Sequence, residues 1–397
     1  MRTVGHGLSD LAAHPFRAVL SGLSLVIGVL AVVAIFTISQ ITAEVFIAAS
    51  EQSNGKRATY HAELRDTTID AETFARMIEA GAPITETGGG VAFFLQAGIG
   101  GLGYTQDVLS GVPAPRAVFT LTAGDIKDVR RLPLLDGSWY DAQRAYPLEL
   151  VVNSRAAVNR GGVGTEVAVV PSSDSAPIHG RIAGVIADGS GDETIYIPLA
   201  AILHHSSVTF NDETSLSLLV HHRTVSYEGL LDTVRAIARA GGGTLAYDRI
   251  DRVDQIDSVL NQLRIQQLAF LAAAALALLV SAVGILNIGL ASISERSREL
   301  VVRRALGATR ANIVGQVLVG GLVIGLIAAG IAAAVAVWGV LQLVPPMIPA
   351  YTAIEPPGIP WVAILWGTAA AVGTTLLGSI IPALVAARLD VAAALRD

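Results

Sequence analysis

The sequence predicts an α-helical membrane protein with four transmembrane helices and a mixed α/β extracytoplasmic domain inserted between helices 1 and 2. Two observations lead to this fold class. The 397-residue chain is 52% hydrophobic and only 15% charged, whereas about 25% of the residues in a soluble domain are charged. The apolar residues are also concentrated in four long runs, each long enough for a helix that needs about 20 residues to cross the bilayer.

None of these runs contains a charged residue, as expected because a charge at mid-bilayer costs about 2.5–3.5 kcal/mol. The first run exceeds the roughly 7–15-residue core of a signal peptide, so we interpret it as an uncleaved helix. The predicted parts are an amphipathic lead-in at 1–17, transmembrane helix 1 at 18–42, the α/β domain with a helical stalk at 43–264, transmembrane helix 2 at 265–292, a charged helix or loop at 293–311, transmembrane helix 3 at 312–340, a short outer loop at 341–360, transmembrane helix 4 at 361–386 and a tail at 387–397.

The distribution of arginines predicts the orientation, because short cytoplasmic loops carry an excess of positive charge. Arginines cluster in the lead-in, in segment 293–311 and in the tail, and loop 341–360 has none. Both termini and segment 293–311 are therefore predicted to be cytoplasmic. The arginines concerned are Arg2, Arg17, Arg296, Arg298, Arg303, Arg304, Arg310, Arg388 and Arg396.

The inserted segment has the pattern of a mixed α/β domain. Short apolar runs such as 165–170 and 193–202 predict strands separated by Gly, Asp, Ser and Pro turns. Residues 70–83 predict a helix with Asp70 as N-cap and Gly81 as its stop, and residues 226–243 predict another. An apolar stripe at helical spacing leads into transmembrane helix 2 and predicts a stalk. Its members are Val253, Ile256, Val259, Leu260 and Leu263.

Motifs for known chemistry are weak or absent. No segment fits G-x-x-x-x-G-K-[ST], G-x-S-x-G or H-E-x-x-H, so hydrolysis by this chain has no motif support. The stretch GIGGLG at 98–103 matches G-x-G-x-x-G, but no helix is predicted after it, so we interpret it as a glycine-rich hairpin turn. The lack of cysteine excludes disulfides and thiolate metal sites, and the net charge of −6 argues against nucleic acid as the main partner.

The histidines could bind a metal or could be ordinary polar residues. The pairs at 204–205 and 221–222 are adjacent in sequence, and neighbouring side chains on a strand point to opposite faces. A pair therefore rarely chelates a metal alone, and a metal site is not expected. His61 and Glu63 lie near the base of the inserted domain, where an ordinary polar surface is a better interpretation than a ligand site.

Segment 293–311 places five arginines between two apolar runs. Glu299 and Arg303 form an i,i+4 pair in the favourable order, Gly307 is suited to end a helix, and Thr309 is suited to cap the next one. Leu300, Val301, Ala305 and Leu306 are expected to form its apolar side. These features predict a short amphipathic helix rigidly joined to transmembrane helices 2 and 3. Arginines that only set topology or bind acidic lipids are the alternative, but the interleaved glutamates favour a surface that binds a protein.

Three stretches carry a resemblance to a known family. SERSRELVVRRALGATRANIVGQ resembles the coupling loop of the MacB/FtsX-like permeases, PALVAARLDVAAALRD is similar to their C-terminal ending, and HPFRAVLSGLSLVIGV is similar to their lead-in. The segments LLDGSWYDAQRAYPLELVVNSRAAV and TIYIPLAA resemble parts of the family's outer domain more weakly. The matching loop residues that the resemblance identifies as ATPase-coupling residues are Glu295, Arg296, Arg298, Glu299, Arg303, Arg304, Leu306 and Gly307.

The resemblance implies a permease subunit of an ABC-type efflux or extraction complex in the bacterial cytoplasmic (inner) membrane. Motion of a separate cytoplasmic ABC ATPase dimer, which would bind ATP and Mg²⁺, would pass through the coupling helix and stalk to the outer domain. This chain would bind no cofactor and would pair with a second permease copy or a related permease, as a homo- or heterodimer. The alternative is a force relay that transports nothing and regulates an extracellular partner such as a cell-wall hydrolase.

Overall fold

A computed structural model describes residues 15–67, 70–95, 101–103, 117–141, 144, 146–170, 176–205, 216–295, 297–348, 354 and 358–388. The chain forms two compact units. The membrane unit comprises Met1–Ala43, Leu260–Met347 and Pro356–Asp397, and the α/β domain comprises Glu44–Val259 and Ile348–Glu355. The α/β fold is therefore inserted between the first and second membrane helices, as the sequence predicts.

Ten helices lie in the described residues. They are α1 (Pro15–Ser53), α2 (Ala71–Glu86), α3 (Ile126–Val129), α4 (Ser154–Arg160), α5 (Leu199–His205), α6 (Tyr227–Ala240), α7 (Ile256–Glu295), α8 (Ser297–Ala305), α9 (Arg310–Leu343) and α10 (Trp361–Ala387), with a 3₁₀ turn at Pro345–Met347 after α9. Four segments, within α1, in α7, in α9 with its 3₁₀ turn and in α10, are long and apolar enough to span a membrane.

Over the described residues, the strands of the α/β domain form one twelve-stranded mixed sheet. They are β1 (Thr59–Arg65), β2 (Gly90–Leu95), β3 (Gly101–Gly103), β4 (Val118–Gly124), β5 (Leu134–Gly137), β6 (Leu148–Asn153), β7 (Glu166–Val170), β8 (Ile178–Ile186), β9 (Thr194–Pro198), β10 (Leu216–His221), β11 (Thr244–Leu245) and β12 (Asp251–Arg252). The order along the sheet is β11-β1-β10-β2-β4-β9-β6-β8-β7-β3, with β12 beside β1 and β5 beside β8. The β4–β9 and β6–β8 pairs are parallel.

Both faces of the sheet are buried at strand β2. Val91 and Phe93 belong to one apolar cluster, which includes side chains from α2 and α6. Ala92 and Phe94 belong to a second cluster, which includes side chains from α3. Successive side chains on a strand point to opposite faces, so strand β2, which is buried throughout, reads as a continuous apolar run.

Helix α2 begins where the sequence predicts but ends later. The Asp70 carboxylate accepts the backbone N–H of Thr73 at 2.8 Å and caps the helix. The predicted stop at Gly81 is wrong, because α2 continues through Gly81 and Pro83 to Glu86. A Cβ atom at position 81 would lie 3.2 Å from a methyl group of Val91, so this glycine allows the helix to pack closely on β2.

The glycine-rich stretch at 98–103 is only partly described. Gly101–Gly103 form strand β3, which pairs antiparallel with β7. These residues are therefore a strand and not the predicted hairpin turn, since they pair with a distant strand and not with β2. The rest of the stretch, residues 98–100, lies outside the described residues.

The membrane unit packs through small side chains. Ala328 and Ala332 of α9 lie in one buried cluster with Ala371 of α10 and with Val29 of α1. A Cβ atom at Gly325 would lie 2.7 Å from the Thr375 hydroxyl oxygen, so α9 and α10 approach each other closely. Small residues allow this approach, which is the usual basis of helix association in a bilayer.

Candidate functional site

The charged segment predicted at 293–311 contains the short helix α8, which lies between two membrane helices. α7 ends at Glu295, α8 runs from Ser297 to Ala305, and α9 begins at Arg310. Arg296, one of the expected coupling residues, lies outside the described residues. α8 is therefore linked to membrane helices on both sides, through residue 296 and residues 306–309.

One side of α8 is buried against the ends of three membrane helices. Leu300 packs in a cluster with Ile293 of α7, Ile313 of α9 and Ala386 of α10. Val301 is buried as well. These contacts fix the helix on its apolar side.

The predicted apolar side was too broad. Ala305 is exposed, and Leu306 is 84% exposed. Ala305 is the last residue of α8, and Leu306 belongs to the turn that follows, so both lie at the end of the packed segment. Val302 is exposed next to this end of the helix.

The charged residues of the segment differ in exposure. Glu295, Arg298 and Glu299 are exposed, whereas Arg303 and Arg304 are half-buried. The outward side of α8 therefore carries charges of both signs, close to the exposed apolar side chains of Val302 and, just after the helix, Leu306.

Arg303 attaches α8 to the following membrane helix. Its guanidinium group donates to the Glu299 carboxylate at 2.5 Å, which confirms the predicted i,i+4 pair, and to the side-chain oxygen of Gln316 on α9 at 3.1 Å. The ends of α8 and α9 are thus connected by a charge-assisted hydrogen bond, a strong class of contact. Arg303 therefore holds α8 against the start of α9.

The turn between α8 and α9 has the geometry predicted for it. Gly307 has φ +104°, and its N–H donates to the carbonyl oxygen of Arg304, while the N–H of Ala308 donates to that of Arg303. These two bonds form a Schellman motif, which favours glycine at the left-handed position. Thr309 then caps α9 by accepting the N–H of Asn312 at 3.2 Å.

The predicted stalk is helical over most of its length. Ile256 is buried, and Val259, Leu260 and Leu263 are half-buried on α7, while their neighbours Ser258, Asn261 and Gln262 are exposed. Val253 was wrongly expected on the same helix. It precedes α7, and its N–H donates to the carbonyl oxygen of Thr59 at 3.1 Å, next to the β1–β12 pair.

Sequence reasoning missed a buried polar network in the α/β domain. The Asp188 carboxylate accepts the Tyr196 hydroxyl at 3.0 Å and the side-chain amide of Asn153 at 3.1 Å. Burial and the neighbouring Asp188 charge raise the pKa of Tyr196, and burial lowers the pKa of Arg130, whose guanidinium lies 4.8 Å from the ring centroid of Phe94. The only local signal was Asn153, which caps α4, because its partners lie far away in sequence.

The histidine pairs have structural partners where they are described. His222 accepts the backbone N–H groups of Thr224 and Val225 at Nδ1, so its Nε2 atom donates to Thr87. His221 lies beside Thr59 in the core, and burial and nearby cations lower the pKa of its imidazole to about 4. Over the described residues, no group of three or more acidic or histidine side chains is placed to hold a metal ion.

The remaining polar candidates lie on β1. His61 and Glu63 are half-buried there. Glu63 lies 3.9 Å from Arg65. Both side chains are thus placed on one strand, two residues apart.

Two family models match the chain. The MacB-like periplasmic core domain matches residues 18–236, which is more than half of the chain. The FtsX-like permease C-terminal domain matches residues 271–391. Together the two models include α8 and most of the α/β domain.

Curated relatives match a shorter part. The chain is 40% identical over 118 residues to the macrolide export ATP-binding/permease protein MacB of Hyphomonas neptunium, a match that covers 30% of this chain and 17% of the relative. It is 34% identical over 130 residues to the uncharacterized ABC transporter permease YknZ of Bacillus subtilis, covering 30% and 28% respectively. The matches thus span less than a third of either relative.

Among solved structures, the chain is similar to the extracellular domain of YknZ from Gram-positive bacteria. The identity is 15%, the match covers 48% of this chain and 98% of that one, and the TM-score is 0.30. With its four membrane helices and its match to the periplasmic core model over more than half its length, the chain is a multi-pass inner-membrane protein that belongs to the MacB/FtsX-like family of ABC transporter permeases.

Proposed function

We propose that this chain is the permease subunit of an ABC-type efflux or extraction complex that is driven by a separate ATPase. An ATPase dimer, with ATP and Mg²⁺ bound to it, would contact α8 in the cytoplasm. Closure of that dimer would move α8, and α7 would carry the movement to the α/β domain on the opposite side of the membrane. Both termini of the chain are then cytoplasmic.

The observation that carries this proposal is the construction of α8. Buried Leu300 and Val301, the bond from Arg303 to Gln316, and the turn at Gly307 attach the helix firmly to its neighbours. Its other side presents Arg298 and the 84% exposed Leu306. A rigid element that exposes both apolar and arginine side chains is suited to receive force from a protein. Arginine is enriched in binding hot spots, and burial of an exposed apolar side chain favours association.

The arginines support a cytoplasmic position for α8, because short cytoplasmic loops carry an excess of positive charge. Complementary charges on the ATPase would orient the two proteins as they bind. The opposite orientation would place the arginine-rich segment 293–311 outside the cell, contrary to this rule.

A second permease copy, or a related permease, would complete the complex. Large apolar side chains of α7 project outward along much of its length, including Phe270, Leu276 and Val280, each more than half exposed. Such a surface is suited to contact with lipid or with another permease helix. The choice between homodimer and heterodimer would follow from co-purification of tagged and untagged copies.

The test is a charged substitution at the exposed end of α8. Leu306→Asp in the permease–ATPase complex in lipid nanodiscs is expected to lower permease-stimulated ATP hydrolysis about tenfold, which corresponds to a loss of about 1.4 kcal/mol of coupling. Val158→Asp is the matched control, because Val158 is also 84% exposed but lies on α4 of the α/β domain.

Equal stimulation by the Leu306→Asp complex and the unmodified complex would contradict the proposal, provided that both complexes purify intact. A transport assay on the same samples separates export from a force relay. A complex that hydrolyses ATP normally but moves no substrate class, and that retains an extracellular protein, would favour the relay.

A further inference from the structure

Two chain segments connect the α/β fold to the long helices, and they run side by side. The chain enters through residues 54–59 after α1 and leaves through residues 251–257 at the start of α7. Tyr60 pairs with Arg252 across β1 and β12, and the Val253 N–H donates to Thr59. Entry and exit are thus joined at the level of the backbone.

A buried carboxylate strengthens this junction. The Asp254 side chain is 0% exposed and accepts two bonds from the Arg252 guanidinium, at 2.7 and 3.0 Å. It also accepts the backbone N–H of Ala58 at 3.0 Å. Ala58 has φ +66°, a conformation that is uncommon outside glycine. The buried charge is therefore satisfied by donors from both segments, as a buried ion requires.

A second carboxylate extends the junction onto α7. Asp257 lies in the first turn of that helix, and it accepts Arg252 at 2.6 Å and Arg57 at 2.5 Å. A carboxylate in this position is also favoured by the helix dipole. Arg57, Arg252, Asp254 and Asp257 form a neutral ion cluster, which we call the junction cluster, and Arg57 comes from the segment that follows α1.

The end of α1 is itself bonded into the α/β domain. The Arg131 N–H donates to the carbonyl oxygen of Glu51 on α1, at 2.9 Å, and the Lys56 N–H donates to that of Val129, at 2.8 Å. The end of α1 is therefore attached beside α3. The start of α7 lacks an equivalent backbone bond to α3 among the bonds described, so the side chains of the junction cluster add to the backbone contact between Val253 and Thr59.

We infer that Arg57, Arg252 and Asp257 are positioning residues that hold the start of α7 to the chain leaving α1, so that a movement of α7 reaches the α/β domain as one rigid displacement. An isolated surface ion pair would be too weak for this, but a network that shares carboxylates is stronger. The inference rests on the proposed function only for the source of the movement. The rigidity of the junction is a separate property that can be measured directly.

Because this chain contains no cysteine, two spin labels can be placed in it at chosen positions and attached before the ATPase is added. Ser53→Cys and Ser258→Cys, both at exposed positions, report the distance from the end of α1 to the start of α7. In the permease–ATPase complex in nanodiscs we expect one narrow distance, with and without ATP. Asp257→Asn and Arg57→Gln should each lose this narrow distance, and the double variant should resemble the worse single variant because the residues act together.

Asp232→Asn is the matched control, since Asp232 also pairs with an arginine, Arg235, but on α6. It should keep the narrow distance. A narrow distance in both junction variants would overturn the inference. So would a broad distance accompanied by unfolding of the α/β domain in both variants, since that result would indicate a purely structural function. Loss of ATPase stimulation in Leu306→Asp tests the proposed function separately, because that substitution leaves the junction cluster intact.

Discussion

The α/β domain and the membrane unit differ in the residues that fill their interiors. The interior of the α/β domain contains large apolar side chains such as Phe93 and Leu95, together with buried ionisable groups such as Asp188. The interior of the membrane unit is rich in Gly, Ala, Ser and Thr, as at Gly325 and Thr375, although Leu25 and Val33 of α1 are buried there as well. Removing large apolar side chains from water stabilises the α/β domain. Lipid tails are themselves apolar, so membrane helices gain no such stabilisation from association and depend on close packing instead.

The strongest test of this difference is removal of the carboxylate at the centre of the polar network in the α/β domain. Asp188→Ala leaves the Tyr196 hydroxyl without its acceptor and removes a negative charge near the buried Arg130, whereas Asn153 keeps its bond to the carbonyl oxygen of Asp192. We expect a loss of about 3–5 kcal/mol in the free energy of unfolding of that domain, because a buried charge is left uncompensated. Denaturant melts monitored by tryptophan fluorescence measure it, with the exposed Asp232→Ala as control. A loss as small as that of the control would mean that the network contributes little to the stability of the domain.

An intermediate effect is expected from adding a side chain at the close contact between α9 and α10, which we call the seam and which includes Gly325 and Thr375. A Cβ atom at Gly325 would lie 2.7 Å from the Thr375 hydroxyl oxygen, whereas at Gly330, on the same helix, it would meet nothing within 4 Å. Gly325→Ala should therefore destabilise the membrane unit by about 1–3 kcal/mol, and Gly330→Ala should not. Detergent-induced unfolding of the two variants measures the difference, and equal stabilities would contradict close packing at the seam.

The smallest expected effect is a dependence on pH that is confined to the α/β domain. The pKa of His221 is lowered to about 4 by burial and nearby cations, below the value of about 6.5 in an unfolded chain. Between these values the unfolded state binds the proton first, so stability falls as the pH falls. Going from pH 7 to pH 5 should cost the domain about 1–2 kcal/mol through this group.

His221→Asn should flatten this dependence over the same pH range. The spans at 22–43, 265–294, 311–343 and 361–387 contain no Asp, Glu, His, Lys, Arg or Tyr. The membrane unit should therefore keep its stability over this range. An equally steep pH dependence of both units would contradict the comparison.

Local signals in the sequence predicted the helices and their caps well. Asp70 and Thr309 cap the helices expected of them, and Gly307 ends α8. These features depend on bonds within a few residues, so they can be read from short segments. The four long apolar runs are similarly local, because the thickness of the bilayer sets their length.

Features that depend on distant residues could not be read in this way. Gly81 looked like a helix stop, but it is there because β2 packs against it. The bond between Ala58 and Asp254 joins residues 196 positions apart. Leu306 is of an apolar type that is usually buried, but it is exposed because it lies in the turn after α8. Each of these outcomes is determined by tertiary contacts and not by local preference.

The hydroxyl of Thr375 has a consequence for how α9 and α10 can move. It donates to carbonyl oxygens of its own helix, at Ala371 (2.9 Å) and Val372 (3.0 Å). If the two helices slide past each other, the Thr375 hydroxyl keeps its hydrogen bonds, so it is not left without a partner in hydrocarbon. The resistance to sliding at this point therefore comes from packing, as lost dispersion contacts of about 0.1–0.2 kcal/mol for each atom pair and as the close fit of Thr375 against Gly325, and not from a broken hydrogen bond. At this position, α9 and α10 can therefore shift relative to each other without breaking a hydrogen bond.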